Sequence, residues 1–136
     1  KLLNIKISDD FDLIKDNALK GNKITTNKLL SNTILEVEKT PFYVAMLNTR
    51  LNRLKEIISS SKNTNISQRI DNMKPPIFWK DKSNYLDQIK VWDLNKINKA
   101  LKITYELEVK VKSNANVNKN LLIKKLLIDI CLLATS

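Results

Sequence analysis

The chain has 136 residues, a net charge of +10 and 43% hydrophobic content, enough for one domain with a single core and a basic surface. With no histidine and one cysteine it cannot build the common zinc sites, a Cys–His nucleophile pair or an internal disulfide. One glycine cannot supply a phosphate-cradling loop and no histidine base exists for a serine hydrolase triad, so recognition or assembly remains.

Hairpin-rich folds need turn glycines at short intervals, and here only Gly21 is present with three prolines. The expected fold is therefore all-α, a single bundle of about six to seven helices over residues 8–136. Residues 1–7, KLLNIKI, read as the end of a preceding element or a linker, which predicts an excised domain. Ser8, followed by Asp9, Asp10 and Asp12, looks like a helix start, with Phe11, Ile14 and Ala18 on one face. That helix should stop near Gly21. A second is expected over residues 25–38, with Leu29, Leu30, Ile34, Leu35 and Val37 as its apolar side.

Thr40-Pro41 is a cap followed by a first-turn proline and opens an amphipathic helix over residues 41–60. Its apolar stripe is Tyr43, Leu47, Leu51, Leu54 and Ile58; the opposite face is assigned Asn48, Arg50, Arg53 and Lys55. That face reads as a basic strip for phosphates or, in preference, as a solvated surface, since three cations are few. SSSKNTN, residues 59–65, is a loop. A short helix over residues 66–73 then leads to Pro75 and Pro76, which end it and hold the preceding residues extended.

Residues 75–92, PPIFWKDKSNYLDQIKVW, are the most informative stretch. Ile77, Phe78 and Trp79 follow the rigid turn directly, and each aromatic can bury about 150–250 Å². They predict a connector nailed onto a neighbouring surface. Phe78, Trp79 and Lys80 also suit base stacking with a phosphate contact, but aromatics are only 6% of the chain, few for a stacking platform. Ser83 or Asn84 caps the next helix, which carries Tyr85, Leu86, Ile89 and Trp92. Asp93 starts a long one with Leu94, Ile97, Leu101 and Tyr105 at helical spacing. Residues 105–112 alternate apolar and charged like a strand, yet no partner strand is in sight, so helix is the reading. SNANVN is a linker, and residues 118–134 form the last helix. Its apolar run, residues 121–134, is shorter than the roughly 20 residues that cross a bilayer and is broken by Lys124, Lys125 and Asp129. Cys131 within it reads as a buried, inert thiol, which fits a reducing cytoplasm.

Only Arg50, Arg53 and Arg69 are arginines; the rest of the basic charge is lysine accompanied by asparagine and isoleucine, as drift in an AT-rich genome produces. Basic and acidic residues are interleaved, and no segment is a basic arm. Acidic pairs such as Asp9 with Asp10, Glu36 with Glu38 and Glu106 with Glu108 have lysines nearby and no partner motif, so they read as solvated helix charges.

In order, DDFDLIKDNALKGN, TPFYVAMLNTRLNRL and KPPIFWKDKSNYLDQIKVWDLNKINKALKITYELEVKVKS, ending in an apolar helix, resemble the C-terminal region of the delta subunit of bacterial DNA polymerase III, the clamp-loader family. The pattern is matched at Pro75, Pro76, Phe78, Lys80, Trp92, Leu94, Ala100, Leu101 and Glu106. The resemblance implies an all-helical collar domain that packs against the equivalent domains of other loader subunits and supports loading of the sliding clamp in DNA replication. It implies that clamp-binding and ATPase-like domains lie upstream, that the sliding clamp is met only through them, that any DNA contact is made in the full assembly, and that this part is non-catalytic; the residues themselves call for no cofactor, metal or membrane. Pro75, Pro76, Phe78, Trp79, Lys80, Trp92 and Leu94 are the structural or interface candidates. The alternative is a basic helical nucleic-acid-binding module, with Arg50 and Arg53 as its candidate residues.

Overall fold

Helix-forming residues dominate the chain, and the computed structural model describes residues 2–60, 64–113 and 116–136, with side chains from residue 10 onward. Its helices in chain order are α1 (Leu2–Leu19), α2 (Lys23–Asn32), α3 (Thr40–Ser59), α4 (Ile66–Asp71), α5 (Lys82–Val91), α6 (Leu94–Ser113) and α7 (Lys119–Thr135). Short 3-10 turns at Val37–Lys39 and Trp79–Asp81 precede α3 and α5. Among the described residues there is no strand, and the expected all-α bundle of six to seven helices is what forms. Residues 61–63 of the expected 59–65 loop and 114–115 of the expected linker lie outside the described residues.

The amphipathic α3 is the centre. It buries Tyr43, Val44, Leu47, Leu51, Leu54 and Ile57, and packs most extensively on α6, with α5 and α7 also against it. Phe11 of α1 stacks on Tyr43, ring centroids 4.2 Å apart, and the Tyr43 hydroxyl accepts a hydrogen bond from the Glu36 amide at 3.2 Å. α7 fills the space left by α1, α2 and α6 with Ile123, Leu127, Ile130 and Cys131. α6 stays helical through the alternating stretch because Thr104 and Leu107, three apart, face the core, and lone alternation offers no ladder partner.

Boundaries shift for identifiable reasons. α1 begins at Leu2, so Ser8 is inside a helix and not its cap. The expected 25–38 helix stops at Asn32: Asn22 caps it by accepting the Thr25 amide, and Thr33, β-branched, turns extended. The chain then buries Leu35 while Ile34 and Val37 face outward. Thr40 lies in the first turn of α3, its hydroxyl donating to the Val37 carbonyl at 2.6 Å. α5 starts at Lys82, a residue or two before either predicted cap. The Asp93 and Asn118 side chains accept the amides of Lys96 and Leu121, which fixes the starts of α6 and α7.

Gly21 does what the sequence asks of it. At φ 77° it closes α1 with paired bonds, Gly21 amide to Ala18 carbonyl and Asn22 amide to Asn17 carbonyl, both 3.0 Å. The next free carbonyl, Leu19, accepts the indole N–H of Trp92 at 2.7 Å, and the Trp92 ring is buried. Lys96 closes two further helices, its ammonium donating to the carbonyls of Val91 at 3.0 Å and Ala134 at 3.4 Å.

A Cβ on Gly21 lies 2.7 Å from Cγ2 of Thr135 and demands a left-handed backbone. Gly21→Ala should therefore lower unfolding free energy by about 1–2 kcal/mol, read from urea denaturation. Burial pushes the Cys131 thiol above its ordinary 9.0, only partly offset by Thr26 and Lys23. The folded-state pKa being raised, the stabilisation is whole below 9.0 and lost as pH rises through the folded value. Cys131→Ala should remove that part of the alkaline decline, and wild-type Cys131 should react with an aromatic disulfide reagent slowly when native and rapidly in urea.

Candidate interaction site

The stripe Tyr43, Leu47, Leu51 and Leu54 along α3 leaves room at one position for a residue seven beyond Tyr43 and four before Leu54. That residue is Arg50, and it is buried, 5% exposed. The assignment of Arg50 to an outer basic face is thus corrected: helical spacing puts it on the core side. Its Nη1 donates to Oδ1 of Asp16 at 2.8 Å and to Oε1 of Gln88 at 3.0 Å, and its guanidinium lies 4.2 Å from the Tyr85 ring centroid. Asp16 in turn accepts from Asn84 at 3.2 Å, and Gln88 donates to the Asp16 backbone carbonyl at 3.2 Å. Lys15, also buried, pairs with Asp12 and lies 3.8 Å from Asp16. One cluster therefore joins α1, α3 and α5.

Arg53, one turn further, stays half-exposed. Its Nη2 donates to the Pro75 carbonyl at 2.6 Å, so α3 holds the connector between α4 and α5. Of the two arginines proposed for phosphates, Arg50 is buried in an ion pair, while Arg53 ties the connector and keeps part of its side chain in solvent.

The Arg53 bond begins the description of the elbow. Met73 is buried and its amide donates to the Ile70 carbonyl at 3.2 Å; the Lys74–Pro75 peptide is cis. Ile77 packs half-buried against the core. The Asp81 amide closes the 3-10 turn onto the Phe78 carbonyl at 2.8 Å, Oδ2 of Asp81 lies 3.8 Å from Arg50, and Lys82 pairs with Asp71 at 2.9 Å. The segment is thus fixed at its ends and middle.

What it fixes is exposed. Pro75, Pro76 and Lys80 face solvent, Phe78 is 58% exposed and Trp79 74%. The expectation that these aromatics nail the connector onto a neighbouring surface is corrected for the surfaces of this bundle, against which neither ring is buried. Met73 and Ile77 hold the connector there instead, because the turn from Trp79 to Asp81 directs the neighbouring aromatic rings outward once Ile77 points in. Phe78 and Trp79 lean on each other, ring centroids 5.9 Å apart and tilted 54°, and the Lys80 ammonium sits 5.4 Å from the Trp79 ring. Of the other candidates, Trp92 is core and clamps α1, while Leu94 is partly exposed at the start of α6.

A cleft of about 300 Å³ lies over the charged cluster, walled by Phe42, Ala45, Met46 and Tyr85 with Lys15 and Arg50 in its lining. Both cations already face carboxylates, so the cleft holds no free positive group. Among the described residues no set of His, Cys, Asp and Glu is gathered to hold a metal ion, and no helix is long and apolar enough to cross a membrane. Comparison with protein-family models, curated proteins and solved structures finds no match to this chain.

Removing one partner of a buried ion pair leaves the other charge uncompensated, at about 3–5 kcal/mol. Arg50→Ala should therefore unfold at markedly lower urea. Arg50→Lys should recover little, because an ammonium cannot reproduce the spread of guanidinium contacts to Asp16, Gln88 and Asp81 or its placement over the Tyr85 ring.

Proposed function

We propose that the chain is a subunit-assembly module that docks through the exposed elbow, of the collar kind implied by its resemblance to the clamp-loader delta subunit, supporting sliding-clamp loading in bacterial DNA replication. The observation that carries this reading is the pair Phe78 and Trp79, held outward on a segment anchored by Arg53, Ile77 and Asp81. Large aromatics on a preorganised turn lose little conformational entropy on docking and are the commonest centres of binding energy in protein interfaces. Water gains nothing from them, and the fold does not need them inside. The clamp-loader partner rests on the sequence pattern alone.

The second reading, nucleic-acid binding, keeps Trp79 with Lys80 as a stacking and phosphate pair but loses Arg50 to a buried pair and has one nitrogen of Arg53 engaged by the Pro75 carbonyl. The two differ in salt response: phosphate contacts weaken by about one log unit per log unit of salt for each contact, apolar docking does not.

Phe78→Ala with Trp79→Ala should change folding stability by less than about 0.5 kcal/mol, since both rings are exposed. The same double variant should weaken association with the other loader subunits of the source organism by roughly 30-fold or more, measured by size exclusion and calorimetry. No co-elution of the unaltered chain with those subunits, or binding to short single-stranded DNA that Trp79→Ala abolishes, defeats the assembly reading.

A further inference from the structure

The seam between α6 and α7 is open on its outer side. Two adjoining clefts of about 560 and 230 Å³ share Ile103, Glu106 and Asp129 and form one groove. Its apolar lining comes from Ile103 and Leu107 of α6 and from Leu122, Leu126 and Leu133 of α7. Leu132, half exposed, extends that surface to the rim.

The two rims differ in charge. On α7, Lys125 and Asp129 neutralise each other at 2.8 Å. On α6, Lys99, Lys102, Glu106 and Lys110 form one ridge at helical spacing. Glu106 has a lysine four residues to either side yet pairs with neither, and among the described residues none of the four has an ion-pair partner. The α6 rim thus keeps three free cations against one carboxylate beside an apolar floor. From Lys99 to Lys110 the ridge runs about 16 Å, three turns of helix.

We infer that this groove receives an acidic amphipathic helix of a partner protein, its apolar face on the floor and its carboxylates against Lys99, Lys102 and Lys110. The inference rests on the assembly reading and adds the chemistry of one partner element. A groove between two helices with an apolar floor suits a third helix laid along it. The uncompensated lysines select its sign, since opposite charge across the rim favours encounter and like charge opposes it. A second copy of this chain brings its own +10 and the same lysine ridge. A nucleic-acid strand leaves the isoleucine and leucine floor unfilled.

The test uses the whole chain and two synthetic amphipathic helices of about 18 residues, long enough to hold helix in water, with leucine on one face and either glutamate or lysine along its edge. Fluorescence anisotropy should show the glutamate peptide binding, weakening with salt, and the lysine peptide failing to bind. Lys99→Glu, Lys102→Glu and Lys110→Glu together should weaken the glutamate peptide by about tenfold or more and admit the lysine peptide. Leu132→Asp should abolish binding with the helical circular dichroism unchanged. Equal affinity for the two peptides, no binding of either, or self-association that Leu132→Asp removes overturns the inference. Phe78→Ala with Trp79→Ala should leave peptide binding intact, so loss of subunit co-elution through the elbow and failure of the groove are read separately.

Discussion

The Asp16–Arg50 pair holds the arrangement together. Asp16 sits in the last turn of α1, where backbone carbonyls already face an end, and its carboxylate would be costly to bury alone. Arg50 reaches it from α3, Asn84 and Gln88 from α5, so one carboxylate accepts donors from two other helices. An apolar core specifies little about which helices should be neighbours. A buried charge that must be matched by a particular guanidinium and two particular amides fixes the angle between α1, α3 and α5, and Trp92 then closes α1 from the same direction.

That constraint reaches the surface through the connector. Asp81 stands near the outer nitrogen of Arg50, and Arg53, three residues along α3, grips Pro75, so both ends of the exposed segment are referenced to the same helix. The cost of ordering Phe78 and Trp79 is met during folding, leaving less to lose when a partner arrives. The basic character of the chain is divided accordingly. Arg50 and Arg53, with planar forks suited to carboxylates and carbonyls, are spent on the buried pair and on the elbow, while many lysines stay solvated, several along α6 beside an apolar seam.

Much of the helical pattern was legible in the residues themselves. The scarcity of glycine excluded hairpins; Gly21 marked the end of α1; Thr40-Pro41 and Asn118 marked starts within a residue; and the stripe of α3 named most of its core. Arg50 was legible too, since it lies seven positions after Tyr43, but its charge argues for solvent as strongly as its spacing argues for burial. Only the presence of Asp16, far away along the chain, resolves that conflict, and no local window contains it. Ser8 misled for the opposite reason: a hydroxyl followed by acids is a good helix start, but a helix already running from Leu2 has no use for a cap there.

By itself the sequence determined the secondary structure class, the single core and the absence of residues for the common forms of histidine- or glycine-dependent chemistry, because those follow from composition and from spacing within a few turns. Tertiary structure alone decided which side chains are free to act. Phe78, Trp79 and Trp92 are alike in size and apolarity and share one short stretch, yet Trp92 finds the Leu19 carbonyl and a closed pocket while the other two are turned outward. The difference lies in what stands opposite each ring, and that depends on contacts between residues distant in the chain, whose geometry exists only once the helices have packed.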